Sequence, residues 1–145
     1  MRIVVQRVKR ASVSVQGAVV GKIGQGLLLL VGIHTDDTPE AAEWLAVKCA
    51  NLRIFEDQAG KMNRSLLEVH GEALAVSQFT LFGDARKGNR PSFISAAPSE
   101  KGRQLFDCFV SKLRQLLPDV PTGSFGAMME VELVNDGPVT LILDK

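Results

Sequence analysis

The run Leu27-Leu28-Leu29-Leu30-Val31, with Gly26 ahead of it and Gly32 behind, limits this chain more than any other stretch. It has no polar face to offer solvent, and it is too short to cross a bilayer as a helix. It reads as a buried strand over residues 27–33. The segments before it set the kind of sheet. Residues 2–8 and 11–16 look like strands, and the second alternates cleanly: Ala11, Val13 and Val15 fall on one face, Ser12, Ser14 and Gln16 on the other. Gly17 turns the chain into "AVVGKI". Four strand candidates joined by short glycine turns predict a mainly antiparallel sheet.

Two helices follow. In "TPEAAEWLAVKCANL", Thr38 is placed to cap, Pro39 suits the first helical position and Glu40 suits the positive end of the helix dipole. Leu45, Cys49 and Leu52 share its apolar stripe. The second helix runs through "SEKGRQLFDCFVSKLRQLL", with Ser99 as its cap, Leu105, Phe109, Leu113 and Leu116 as its stripe and Pro118 past its end. Between the helices, "RIF" reads as a short strand, "EDQAGK" as a turn and "EALAVSQFTL" as a buried strand; residues 65–72 show no clear pattern. The tail gives two strands, 127–134 and 139–143, with "NDG" between them. The fold class is α/β in the α+β sense: a barrel-like, mainly antiparallel sheet with two principal helices. The whole span 1–145 reads as one domain.

Composition narrows function by exclusion. With 46% hydrophobic and 23% charged residues, the chain is ordinary for a globular protein. A net charge of +1 excludes a generally basic nucleic-acid-binding surface while allowing a local basic patch. Cys49 and Cys108 read as free thiols, and His34 and His70 have no partners at metal-ligand spacing, so neither a metal nor another cofactor is expected. No signal peptide or membrane segment is read, and a cytoplasmic location is the default.

Three stretches could carry chemistry. "SQFTL" packs the hydroxyls of Ser77 and Thr80, the amide of Gln78 and several backbone N–H groups next to Phe79. It is either a strand running out of core or the lining of an oxyanion site. No histidine neighbours it, which weakens any triad reading. "DARKGNRPSF" clusters Arg86, Lys87 and Arg90 in a loop. That is either a solvated charged loop or a phosphate-binding edge suited to one nucleic-acid end. "VNDGPVT" carries a hairpin signal in Asp136-Gly137, yet Pro138 has no N–H for a sheet ladder and fits best at a strand start or edge.

Taken together, "SQFTL" at 77–81 and "NDGPVT" at 135–140 resemble the two signature motifs of the D-aminoacyl-tRNA deacylases. The opening "QRV" with "ASV", and "GNRPSF", are similar to the same family, in order and spacing from end to end. The resemblance implies a homodimeric carboxylic ester hydrolase. It cleaves D-amino acids from the 3′ end of aminoacyl-tRNA, and also glycine mischarged on tRNA-Ala. It implies a cis Gly137–Pro138 bond that reaches into the partner's pocket, where it meets the substrate's ammonium and excludes an L side chain. On the same grounds Arg7 holds that motif, Ser77, Gln78, Phe79 and Thr80 line the catalytic pocket, and Phe125 and Met129 sit near the terminal adenine. Two other readings of the same residues are a non-catalytic binder of nucleic-acid ends and a purely structural homodimer.

Overall fold

A computed structural model describes residues 1–145. The strand order explains the leucine run. Strand β1 (Arg2–Val15) is central, flanked on one side by β2 (Ala18–Ile23) and β3 (Gly26–Gly32). Strand β3 contacts β1 along one edge and, along the other, β6 (Glu72–Ser77). It is therefore interior to the sheet, and its faces point into two different cores. Leu27, Leu29 and Val31 join a large apolar cluster beneath the helices, while Leu28 joins a smaller one on the other face. A strand buried on both faces has no reason to alternate.

Helix α1 (Pro39–Asn51) begins as expected: Thr38 accepts a hydrogen bond from the Ala41 N–H, and Pro39 occupies the first turn. Leu45 and Cys49 are fully buried, and burial pushes the Cys49 thiol up to about 12. Helix α2 (Ser99–Arg114) packs on α1 and buries Leu105, Phe106, Phe109 and Leu113. Ser99 is not its cap. The helix is entered from Pro98, and no side chain caps it, because Ser99 has already taken helical geometry. A short hairpin of β4 (Phe55–Glu56) and β5 (Met62–Arg64) stands apart from the main sheet. Residues 66–70, which had no clear pattern, form turns.

Three further expectations change, and the mainly antiparallel sheet holds with one parallel pair added. Residues 2–8 and 11–16 are one strand, not two. Strand β1 stays continuous by slipping register: Ile3 and Val5 face the large core, and Val8, Ala11 and Val13 the small one, with irregularities on either side of Val8. The sheet is mainly antiparallel, but β3 and β6 run parallel, with α1 and the small hairpin in the crossover between them. The strand through "EALAVSQFTL" stops at Ser77, and Phe79–Phe82 form a single 3-10 turn. The tail is not a hairpin either. Strand β7 (Glu130–Asp144) is continuous and pairs along the whole of β1. The Asp-Gly signal loses because both flanks find the same antiparallel partner. Pairing jumps from Val8↔Asn135 to Gln6↔Thr140, so Asp136, Gly137, Pro138 and Val139 bulge opposite Arg7. Pro138, with no N–H to give, sits where no ladder bond is required.

Candidate functional site

The parallel strands β3 and β6 end side by side, with Val31 opposite Ser77. Open space beyond the carboxyl ends of parallel strands is a recurrent place for ligands. Here the space is a cavity of about 620 Å³. Its floor is the segment that leaves β6: the Gln78 N–H donates to the Val31 carbonyl at 2.8 Å and folds the chain back over β3. Gly32 permits this seat. A methyl group there would lie 2.9 Å from Leu81 Cβ and 3.2 Å from the Gln78 carbonyl oxygen.

The turn that follows leaves backbone groups free. The N–H groups of Phe79 and Thr80 open the 3-10 turn, so they have no partner within it, and neither donates to a loop carbonyl or a side chain. They lie on the cavity wall with Ser77 and Gln78. The Gln78 side-chain amide donates to Thr80 Oγ1. Phe79 is more than half exposed and meets Phe93 edge-on at 5.3 Å. Phe93 closes the loop that carries Arg86, Lys87 and Arg90. In that loop Arg86 binds the Asp84 carboxylate at 2.6 Å, and these hydrogen bonds pull the Asp84 carboxyl down to about 2. Lys87 and Arg90 are exposed and form no ion pair.

The far wall comes from segments distant in sequence. The loop before β7 is tied to β6, since the Ala75 N–H donates to the Pro121 carbonyl and the Gly123 N–H to the Ala75 carbonyl, both at 3.1 Å. That loop delivers Phe125, Met128 and Met129 to the cavity, while Ser99 and Gly102 of α2 complete it. Gly123 makes room for Met129, whose sulfur would lie 2.5 Å from a Cβ at that position. At Gly102 a methyl group would meet the Phe125 ring at 3.4 Å, an ordinary contact. Ser99, Gly102, Gly32 and Gly123 were not legible as site residues in the sequence. The available signal was Gly102 itself, because glycine inside a helix costs about 1 kcal/mol relative to alanine and so stands out there.

No residue on the wall is charged, and neither histidine reaches it. The described chain has no group of three or more His, Cys, Asp or Glu side chains placed to hold a metal ion.

The second motif lies elsewhere. Gly137 and Pro138 are joined by a cis peptide bond, are both exposed, and do not line the cavity of their own chain. Arg7 grips the bulge from behind. Its guanidinium is 5% exposed. Nε is 3.1 Å from both the Asp136 carbonyl oxygen and the Asp136 carboxylate, and Nη1 donates to the Ile54 carbonyl at 2.5 Å. So the structure gathers Ser77, Gln78, Phe79, Thr80, Phe125 and Met129 around one cavity. It gathers Arg7, Gly137 and Pro138 around a different surface.

Comparison with known proteins settles the family. The profile of the family described as D-Tyr-tRNA(Tyr) deacylase matches residues 4–144. The chain belongs to the D-aminoacyl-tRNA deacylases. The D-aminoacyl-tRNA deacylase of Thermomicrobium roseum is 62% identical over 145 residues, covering 100% of this chain and 94% of that one. Its counterpart in Exiguobacterium sibiricum is 59% identical, with 100% of both chains covered. Among solved structures, one described as "c-Myc DNA Unwinding Element Binding Protein" superposes with a TM-score of 0.94 at 42% identity, covering 100% of this chain and 99% of that one. A probable eukaryotic D-amino acid tRNA deacylase superposes with a TM-score of 0.87 at 20% identity, a likeness of fold. This deacylase is thus a hydrolase whose substrate is aminoacyl-tRNA. No helix in it is long and apolar enough to cross a membrane.

Proposed function

We propose that the chain works as a homodimer in which the Gly137–Pro138 bulge of one subunit enters the Ser77–Thr80 cavity of the other, making a chiral filter for D-aminoacyl-tRNA. The observation that supports this most directly is the mismatch between the two motifs. The cavity is lined by its own chain without either bulge residue, whereas the bulge is anchored from behind by Arg7 and exposed at Gly137 and Pro138. In this reading the Gly137 and Pro138 carbonyls receive the substrate's α-ammonium, and their bulk leaves no room for an L side chain. A filter that works by rejection need not recognise any D side chain. It also passes glycine, including glycine mischarged on tRNA-Ala.

The chemistry asks little of side chains. The ester carbonyl lies against the free N–H groups of Phe79 and Thr80, which stabilise the oxyanion as it forms. One such donor is worth about a hundredfold or more in rate. Water adds to the carbonyl carbon, and the ribose 2′-hydroxyl relays the proton that the water gives up. The bond to the ribose 3′-oxygen breaks, and that oxygen takes up the proton. Attack by Thr80 itself is disfavoured: its oxygen already accepts from the Gln78 amide, and no base on the cavity wall can remove its proton. Phe125 and Met129 flank the terminal adenine, and Lys87 and Arg90 lie toward the tRNA backbone.

The deciding assay gives the purified protein D-tyrosyl-, L-tyrosyl- and glycyl-tRNA at low enzyme concentration with EDTA present. The expected result is fast loss of the D and glycyl esters with the L ester spared. Loss of both tyrosyl esters would keep the esterase and discard the filter. Salt-sensitive tRNA binding without turnover would favour a binder of nucleic-acid ends instead.

A further inference from the structure

A cavity that takes the end of a polyanion has a charge problem, because not one of its wall residues carries a positive charge. The first turns of α2 bear on this. Ser99 and Gly102 line the cavity, and Arg103 stands one turn beyond Ser99 on the same face of the helix. Its guanidinium lies over the Phe125 ring, with Cζ 4.9 Å from the ring centroid. Phe125 is in turn braced by Phe106, centroid to centroid 6.1 Å. Arg103 is exposed and makes no ion pair, although Glu100 and Asp107 occupy neighbouring turns of the helix. Stacking on an aromatic face fixes the plane of a guanidinium and leaves its N–H edge free for a phosphate.

We propose that Arg103 is a substrate-binding residue that holds the phosphate linking the terminal adenosine to the nucleotide before it. The inference rests on the reading above, in which the adenosine lies beside Phe125. Arg103 is then the fixed cation in contact with the wall that meets the nucleoside. The contact adds a check that the acyl group is carried by a nucleic acid rather than by some other alcohol. Arg86 cannot do the same work, because Asp84 already satisfies it.

Three substrates test this: D-tyrosyl-tRNA, the D-tyrosyl 3′-ester of 5′-AMP, and the D-tyrosyl ester of adenosine, which lacks the phosphate. The wild-type protein is compared with Arg103→Ala and Arg103→Lys. For Arg103→Ala we expect KM to rise about tenfold on the first two substrates, the ordinary loss for one charge-assisted contact. kcat and all values on the adenosine ester should stay near wild type, and Arg103→Lys should recover part of the loss. The slope of log KM against log salt on tRNA should also fall by about 0.7. An equal loss on all three substrates would mean that Arg103 only shapes Phe125, and would overturn the proposal. So would no loss anywhere, or a loss on tRNA with the AMP ester unaffected, which would place the contact at an upstream phosphate. A wild-type protein inactive on every D ester would instead sink the proposed function, a distinct outcome. The exposure of Arg103 keeps folding out of the comparison.

Discussion

The turn at Phe79–Phe82 follows the end of a strand and the bulge at Asp136–Val139 interrupts the pairing of one, yet they relate to the rest of the chain in opposite ways. The turn faces a cavity built by its own chain, and glycines at 32 and 123 bring neighbouring backbone and sulfur close around it. The bulge is held by a buried arginine and leaves Gly137 and Pro138 exposed, outside the cavity of their own chain. In the proposed dimer, a single chain carries both halves of a site without joining them.

The sharpest way to break that comparison is by mixing. Gly32→Val should unseat the turn by pushing on Leu81 and the Gln78 carbonyl, and a displacement of about 1 Å at a reacting group costs on the order of a hundredfold in rate. Arg7→Ala should release the bulge. Each variant alone is expected to be nearly inactive or unselective. Co-refolded in equal amounts, they should recover about a quarter of the selective sites, because half the dimers then hold one intact pairing. No recovery in a D-tyrosyl-tRNA assay would mean that the bulge serves its own chain or none.

Arg7→Ala on its own gives the next largest effect. It strips donors from the Ile54 and Asp136 carbonyls and leaves a void, so a loss of about 2–4 kcal/mol is expected in urea unfolding. L-tyrosyl-tRNA hydrolysis should rise relative to the D ester. Stability lost with selectivity intact would separate Arg7 from the filter.

Thr80→Ala should be mild, lowering kcat less than about tenfold, because the backbone N–H groups survive the change. Complete loss in a single-turnover assay would make Thr80 the nucleophile and overturn the mechanism.

The smallest effects compare the two helix starts. Thr38→Ala should cost about 1 kcal/mol by removing the hydrogen bond to the Ala41 N–H. Ser99→Ala should cost no capping energy, since Ser99 caps nothing. Equal losses in thermal unfolding would contradict the assigned helix boundaries.

What could be read in the sequence follows the range of the interaction involved. The first helix was legible because Thr38, Pro39 and Glu40 act within one turn. The leucine run was legible because burial leaves a mark on every residue in it. The continuity of β7 was not, since Asp-Gly is a local hairpin signal and only β1, far away in sequence, overrides it. The parallel pairing of β3 with β6 was equally hidden, because no residue in either strand names its neighbour. For the site, Ser77–Thr80 stood out by their crowding of polar groups. Ser99, Gly102 and Arg103 did not, since α2 reaches the cavity only through the tertiary fold. "SQFTL" is a strand only at its first residue: Ser77 closes β6, and the Gln78 N–H, donating to the Val31 carbonyl, starts the turn that carries the rest off the strand.

The uncharged wall of the cavity has a kinetic consequence. In the proposed mechanism the site lends no acid or base of its own, so it has no ionisation to lose as pH drifts and the acidity of the reaction belongs to the substrate. There the substrate's ammonium, with a pKa of about 8 or below for an α-amino group, is the group that titrates. On that proposal, an editing step keeps pace with the spontaneous chemistry of the ester it removes and is tuned by the aminoacyl-tRNA itself.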